Sequence, residues 1–146
     1  MPDSRELSCS ECEALLRAGV VGRVALSTPT GPQIVPVNYS VVDSSIILRT
    51  SAYSVLGTYG REATLAFEVD DFDPPNQRGW SVVARGRADV VQDQAELDHI
   101  RSVWEPRPWA SGVRALFLRI RWTELTGRQL GNGRQPMRDL PYRRVV

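Results

Sequence analysis

Lysine is absent from this sequence, and all eighteen of its basic residues are arginines. The chain therefore cannot use a Schiff-base lysine or the lysine of a P-loop. Histidine is nearly absent too, because His99 is the single imidazole, and any nucleophile triad would have to recruit it. His99 lies about 100–200° away from the apolar side of its predicted helix, so we expect a solvated side chain and no catalytic base.

Long apolar runs and a strong net charge are also missing. No run approaches the roughly 20 residues of a membrane span, and the polar N-terminus does not resemble a signal peptide. The net charge of +1 gives no field that would attract nucleic acid. We therefore expect a cytoplasmic protein with no membrane or nucleic-acid partner. The length of 146 residues predicts one domain over residues 1–146, with peripheral or flexible tails at 1–7 and 131–146.

Cysteine occurs only as Cys9 and Cys12. A structural zinc site usually needs four ligands, and the sequence places no others nearby. A redox Cys-x-x-Cys motif would need a βαβ context, which is not apparent. We therefore interpret both thiols as structural residues of a helix and predict no metal site.

The helix that would carry these thiols is predicted over residues 8–18. Ser8 and Glu11 have the spacing of a capping box, in which each residue caps the other's backbone N–H group. Gly19 follows at the position where a left-handed conformation commonly ends a helix. The pattern predicts a short amphipathic helix that ends at Gly19.

The rest of the chain alternates short β-type runs with turns. Two further helices are predicted at 52–61 and 92–104, and Gly86 indicates a bulge or a close approach. Residues 70–79 are rich in aspartate and proline and are predicted to form a loop, with a cation site at Asp70, Asp71 and Asp73 as a weaker alternative. Strands are predicted at 22–27, 33–41, 46–50, 63–69, 80–91 and 113–122, with a connector at 105–112. Residues 123–130 are predicted to extend the last strand or to pair with it. Closely spaced strands with few helices favour an antiparallel barrel or sandwich.

The hairpin at residues 34–54 is the best candidate for a ligand site. Its second strand ends in Arg49, Thr50 and Ser51, a planar cation and two hydroxyls that suit a phosphate, with Ser54 close by. Pro36 cannot donate to a strand ladder and indicates an edge, where the backbone beside Asn38 could meet a flat heterocycle. The alternative is that Arg49 pairs with a surface carboxylate and Pro36 only protects an edge.

A series of short motifs then narrows the choice. They are GRVAL at 22–26, VPVNY at 35–39, RTSA at 49–52, AFEVD at 66–70, WSVVARGRA at 80–88 and LTGR at 125–128. In this order they resemble the pyridoxamine 5′-phosphate oxidase-like family of flavin-binding split β-barrels, over roughly residues 7–130. Each motif is short, but the ordered set is specific.

This resemblance implies a mainly β fold, an antiparallel six-stranded Greek-key split barrel that forms a homodimer with FMN at the subunit interface. It implies an oxidoreductase acting on a small molecule, in which the cofactor carries the chemistry and no protein residue is named as catalytic. The isoalloxazine ring would lie on Val35, Pro36, Val37 and Asn38. The phosphate and ribityl end would bind Arg49, Thr50, Ser51 and Ser54, and Trp80 and Ser81 would reach the flavin of the partner subunit.

Two departures from the family pattern leave other functions open. Many members have a basic pair after the serine that corresponds to Ser54, whereas this chain has Val55 and Leu56, so one phosphate counter-charge is missing. The C-terminal segment also differs from that of true pyridoxamine phosphate oxidases, so that substrate is not implied. The alternatives are an F420 (deazaflavin)-dependent reductase on the same fold, or a non-catalytic module that binds flavin or haem.

Overall fold

The computed structural model describes residues 4–104 and 116–131. No helix in these two ranges is long and apolar enough to cross a membrane. The connector predicted at 105–112, the first three residues of the strand predicted at 113–122 and most of the tail predicted at 131–146 lie outside the described residues. The elements follow in the order β1 (Ser4–Glu6), α1 (Cys9–Ala18), β2 (Val21–Thr28), β3 (Gly31–Val42), β4 (Ser45–Thr50), α2 (Val55–Tyr59), β5 (Thr64–Asp73), β6 (Arg78–Val90), α3 (Gln94–Trp104) and β7 (Leu116–Leu130).

Six of these strands close into a barrel in the order β7-β4-β3-β2-β5-β6, because β7 pairs with both β4 and β6. Each pairing around the barrel is antiparallel. The chain passes from β4 to β5 through α2, and these two strands are not neighbours, as expected of a Greek-key arrangement. The predicted six-stranded antiparallel barrel is confirmed.

The barrel interior is filled by side chains that alternate inward along the strands. At its centre the rings of Tyr39 and Phe67 meet edge to face, with centroids 4.7 Å apart and planes at 67°. Phe67 is completely buried. A second apolar cluster lies outside the barrel wall, where Ile100 of α3 packs against Ile47 and Phe117.

Helix α1 begins at the predicted capping box. The Ser8 N–H donates to Glu11 Oε2 at 2.7 Å, and the Glu11 N–H donates to Ser8 Oγ at 3.2 Å. The prediction for Gly19 was wrong, because its φ of −77° and ψ of 167° are extended. Glycine is needed there for space, since a Cβ atom would collide with the Tyr39 hydroxyl.

The same helix packs onto the barrel core. Cys12, Leu15 and Leu16 are buried, and the Tyr39 hydroxyl donates a hydrogen bond to the Leu16 carbonyl at 2.5 Å. Burial raises the pKa of the Cys12 thiol, so this side chain behaves as a small apolar residue. Cys9 is exposed. The structural role predicted for the thiols therefore describes Cys12 better than Cys9.

The loop predicted at 70–79 is much shorter than expected. β5 runs to Asp73 and β6 starts at Arg78, which leaves a turn at 74–77. Asp73 accepts hydrogen bonds from Asn76 Nδ2 at 2.8 Å and from Arg78 Nε at 3.3 Å, so the turn neutralises its own carboxylate. Backbone pairing with β6 decides the conformation here against the local preference of aspartate for loops.

Two more local features concern β7. Part of the N-terminal tail predicted at 1–7 is ordered after all, because Ser4–Glu6 forms β1 and pairs with β7 at residues 128–130. The irregularity predicted at Gly86 is confirmed by a register shift between Arg85 and Gly86. A Cβ atom at Gly86 would collide with the Arg121 carbonyl on β7, which requires glycine at this point.

Candidate functional site

The barrel opens between β3 and β4, within the hairpin that the sequence singled out. The two strands share a ladder from the hairpin tip to the Tyr39–Leu48 pair. Beyond that pair, residues 31–38 of β3 are paired in the described structure only with β2. Asn38 and Arg49 are the first residues on either side of this gap. We call the region between residues 31–38 and 49–54 the β3–β4 opening.

Side chains of β3 alternate between the core and the outer face at this opening. Val35 and Val37 pack against the barrel core. Pro36 and Asn38 therefore project from the outer face, where Pro36 is exposed and Asn38 half-buried. Of the four residues predicted to hold a heterocycle, Pro36 and Asn38 could therefore contact it from the outer face. Val35 and Val37 lie on the opposite face of the strand and anchor it to the core.

The backbone of β3 at this point is directed toward the opening. The Tyr39 N–H donates to the Val20 carbonyl on the β2 side. Because backbone groups alternate sides along a strand, the groups of Pro36 and Asn38 point away from β2, toward the opening. Pro36 brings no N–H to this edge, so the prediction that it marks an interrupted edge is confirmed.

Arg49 lies on the outer face of β4, across from Phe117 of β7. Its guanidinium carbon is 5.1 Å from the centroid of the Phe117 ring, a cation–π contact. The guanidinium is thus held by packing at the start of the opening, with a planar set of donors suited to a phosphate.

The hydroxyl groups that follow Arg49 are largely used by local structure. Thr50 points inward and is only 8% exposed, and its hydroxyl shares a hydrogen bond with the Ser54 hydroxyl at 2.7 Å. Ser54 Oγ also accepts the Gly57 N–H at 2.9 Å as the N-cap of α2. Ser51 Oγ accepts the Tyr53 N–H at 3.2 Å. Of the predicted phosphate ligands, Arg49 has the side chain best placed on the outer face.

Trp80 and Ser81 lie elsewhere on the barrel, since β2 and β5 separate their strand from β3. The Trp80 side chain is 3% exposed and belongs to the core, and its Nε1 has no hydrogen-bond partner among the described residues. Ser81 faces outward beside Arg128, in a groove of about 350 Å³ between β1, β6 and β7. Their predicted contact with a flavin of the partner subunit stays a prediction.

Sequence reasoning missed a charged cluster next to Pro36. Arg23 pairs with Pro36 on one side and with Glu68 on the other. Its Nη1 lies 2.9 Å from Glu68 Oε1 and 3.1 Å from Asp70 Oδ2, so one guanidinium serves two carboxylates. The signal was present as Glu68-x-Asp70, because residues two apart in a strand share a face.

Within this cluster, Glu68 has a raised pKa. Burial raises the pKa of Glu68 from 4.5 to about 7, and Asp70 acts in the same direction by hydrogen bonding and repulsion, against the opposing influence of Arg23. The folded protein therefore keeps a proton on Glu68 at pH values where the unfolded chain has released it. Raising the pH through that window must favour the unfolded state.

Replacing Glu68 with glutamine should remove this pH dependence. We expect the free energy of unfolding of the wild type, relative to Glu68→Gln, to fall as the pH rises from about 4.5 to about 7. Urea denaturation at pH 5 and pH 8, at one protein concentration, measures the difference. Glu124→Gln, which removes an exposed carboxylate paired with Arg85, is the control. A difference that stays constant or grows with pH would contradict the assignment.

His99 is exposed, as predicted, and its Nε2 lies 3.3 Å from Asp43 Oδ2. The pair borders a cavity of about 260 Å³ between α3 and the barrel wall, floored by Ile47 and Ile100. Within the described ranges, no group of three or more His, Cys, Asp or Glu side chains could hold a metal ion. Asp70 and Asp73, proposed as alternative cation ligands, pair with arginines.

The opening between β3 and β4 and the closed six-stranded ladder define a split barrel of the flavin-binding type. A family model described as pyridoxamine 5′-phosphate oxidase matches residues 8–129. The chain belongs to this family.

Individual relatives agree with this placement. An uncharacterized protein of Mycobacterium tuberculosis is 34% identical over 69% of this chain and 70% of its own length. The structure of the FAD binding protein from Mycobacterium smegmatis is 28% identical, with a TM-score of 0.72, over 86% of this chain and 99% of that one. A protein of unknown function from Corynebacterium diphtheriae is 30% identical, with a TM-score of 0.73, over 87% and 98% of the two chains.

Proposed function

We propose that this protein is a homodimeric flavin-dependent oxidoreductase that holds FMN in the β3–β4 opening. The observation that carries the proposal is the gap beyond the Tyr39–Leu48 pair, which exposes the β3 backbone on one side and presents Arg49 on the other. The backbone groups of Pro36 and Asn38 can meet the polar edge of an isoalloxazine ring. Arg49 can donate to the phosphate.

A flavin is favoured over other planar ligands by two lines of support. The family is flavin-binding in general, and a relative that matches over nearly its full length is an FAD binding protein. The flavin supplies the hydride or electron chemistry when it is bound, and the protein supplies position and electrostatics. The small-molecule substrate is reduced or oxidised at the outer face of β3, without a catalytic side chain.

The dimer is proposed because exposed apolar side chains surround the opening. Ile34 on β3 is 71% exposed and Tyr53 before α2 is 96% exposed, and Val55 and Tyr59 of α2 add to the same surface. Apolar exposure of this kind is often covered by a partner. A second copy would also bring its own Trp80–Ser81 strand segment, which a single chain keeps apart from its opening.

Titration of the purified protein with FMN, FAD and F420 in parallel tests the cofactor. We expect FMN fluorescence to be quenched on binding, with FMN bound more tightly than F420. Tighter binding of F420 would favour the deazaflavin alternative, and tighter binding of FAD would reassign the cofactor within the flavins. A protein that binds none of the three would overturn the proposal.

Turnover distinguishes an enzyme from a binding module. We expect the FMN complex to reduce an artificial electron acceptor steadily with NADH or NADPH as the donor. A complex that binds FMN or haem but transfers no electrons under these conditions would instead be a non-catalytic carrier or sensor.

Sedimentation velocity, with and without FMN, tests the dimer. The proposal assigns no nucleic-acid or membrane partner and a cytoplasmic location.

A further inference from the structure

Two arginines from different elements converge on one aromatic ring beside the β3–β4 opening. Arg49 of β4 and Arg101 of α3 have their guanidinium carbons 5.1 Å and 5.4 Å from the centroid of the Phe117 ring. Phe117 itself is only 3% exposed, so the ring is a fixed platform for both cations. α3 therefore contributes a positive charge at the point where β4 leaves the ladder with β3.

This second cation matters because α2 supplies none. The two residues that follow Ser54 are Val55 and Leu56, and Leu56 is 2% exposed in the core. Arg61 follows the C-terminal end of α2, whereas Ser54 caps the N-terminal end. The Arg61 Nε donates to the Gly57 carbonyl at 2.7 Å. A phosphate beside Arg49 would obtain little positive charge from α2.

We propose that Arg101 is a second phosphate-binding residue, which joins Arg49 in neutralising the phosphate end of the flavin nucleotide. This inference rests on the function proposed above and deepens it, because it assigns a second counter-charge for the phosphate to α3. A phosphate ester carries nearly two negative charges at neutral pH, and two guanidinium groups match that charge better than one. Recognition would then depend on the packing of α3 against the barrel through Ile100.

A purely structural explanation of Arg101 is available and makes a different prediction. Arg101 lies in the last turn of α3, where a cation is favoured by the helix dipole. In that case its removal would lower the stability of α3 and weaken every flavin ligand alike. A phosphate-binding role affects only ligands that carry the phosphate.

The test compares FMN with riboflavin, which has the same ring and no phosphate. For Arg101→Ala we expect FMN to bind roughly tenfold or more weakly, the range for a lost hydrogen bond to a charged group. Riboflavin has no phosphate for Arg101 to contact, so we expect its dissociation constant to change by less than about threefold in the same variant. Arg101→Lys, which keeps the charge but loses the planar donors, should fall between wild type and alanine.

Arg87→Ala is the matched control, because Arg87 is exposed and its ion pair with Glu62 spans 4.0 Å. It should leave both dissociation constants unchanged. Equal loss of FMN and riboflavin binding in Arg101→Ala, or no loss of either, would overturn the inference while leaving the flavin site intact. Failure of the wild type to bind FMN and riboflavin would instead overturn the proposed function and this inference together.

Discussion

Replacing Phe67 with alanine should lower the free energy of unfolding by about 3–5 kcal/mol, the largest loss that we expect from a single substitution. Phe67 is completely buried at the centre of the barrel. Its ring meets Tyr39 edge to face at 4.7 Å, and Tyr39 in turn holds α1 through its hydrogen bond to Leu16. The substitution would leave a cavity beside Tyr39 of β3 and Gly22 of β2 that rigid strands cannot close.

Urea denaturation followed by circular dichroism measures this loss. Phe72→Ala is the matched control, because it removes the same side chain from the same strand at a position that is 50% exposed. We expect the control to cost less than about 1 kcal/mol, since surface changes have small effects. Similar losses in the two variants would mean that burial at Phe67 contributes little, contrary to the packing described.

Replacing Arg49 with alanine should weaken FMN binding by about 1.5–3 kcal/mol, the range for a hydrogen bond to a charged group. This corresponds to a dissociation constant raised roughly tenfold to 150-fold. The expected loss is large because the Arg49 guanidinium lies on the outer face, beside the opening. Thr50 and Ser54, also predicted to bind the phosphate, share a hydrogen bond with each other. Fluorescence titration of FMN measures the change.

The Arg49 variant needs a check on its fold, because the same guanidinium contacts Phe117. Loss of that contact should cost about 0.5–1 kcal/mol of stability, which leaves most of the molecules folded. Arg49→Lys separates charge from geometry, since lysine keeps the charge without the planar donors. An Arg49→Ala protein that binds FMN as tightly as the wild type would show that Arg49 has a structural role.

Most of the barrel could be predicted because the alternation of apolar and polar residues that marks a strand is visible within each short stretch of sequence. The alternation of Val35 and Val37 with Pro36 and Asn38 predicts a strand with one face on the core, and the structure has that strand. The capping box between Ser8 and Glu11 could be predicted in the same way. Both signals involve residues close in sequence, where side-chain period and hydrogen-bonding chemistry act directly.

Features that depend on distant partners could not be predicted in this way. Three polar residues at 4–6 have no strand-like pattern of their own and become β1 only because β7 offers an edge. The turn at 74–77 is short because β5 and β6 continue pairing through polar residues. Arg101 joins Arg49 only because α3 folds back on Phe117, a contact that no local pattern encodes.

β7 has a consequence for the order in which this chain assembles. It pairs with β4, with β6 and with β1, so one late segment completes three ladders. While the chain is being synthesised, β4 and β6 must wait with open edges until residues 116–130 have left the ribosome. Strand pairing between distant segments forms slowly, and until it is complete the unpaired strand edges can associate with other chains. The strand that closes the barrel therefore also sets the interval during which the nascent protein is most vulnerable to aggregation.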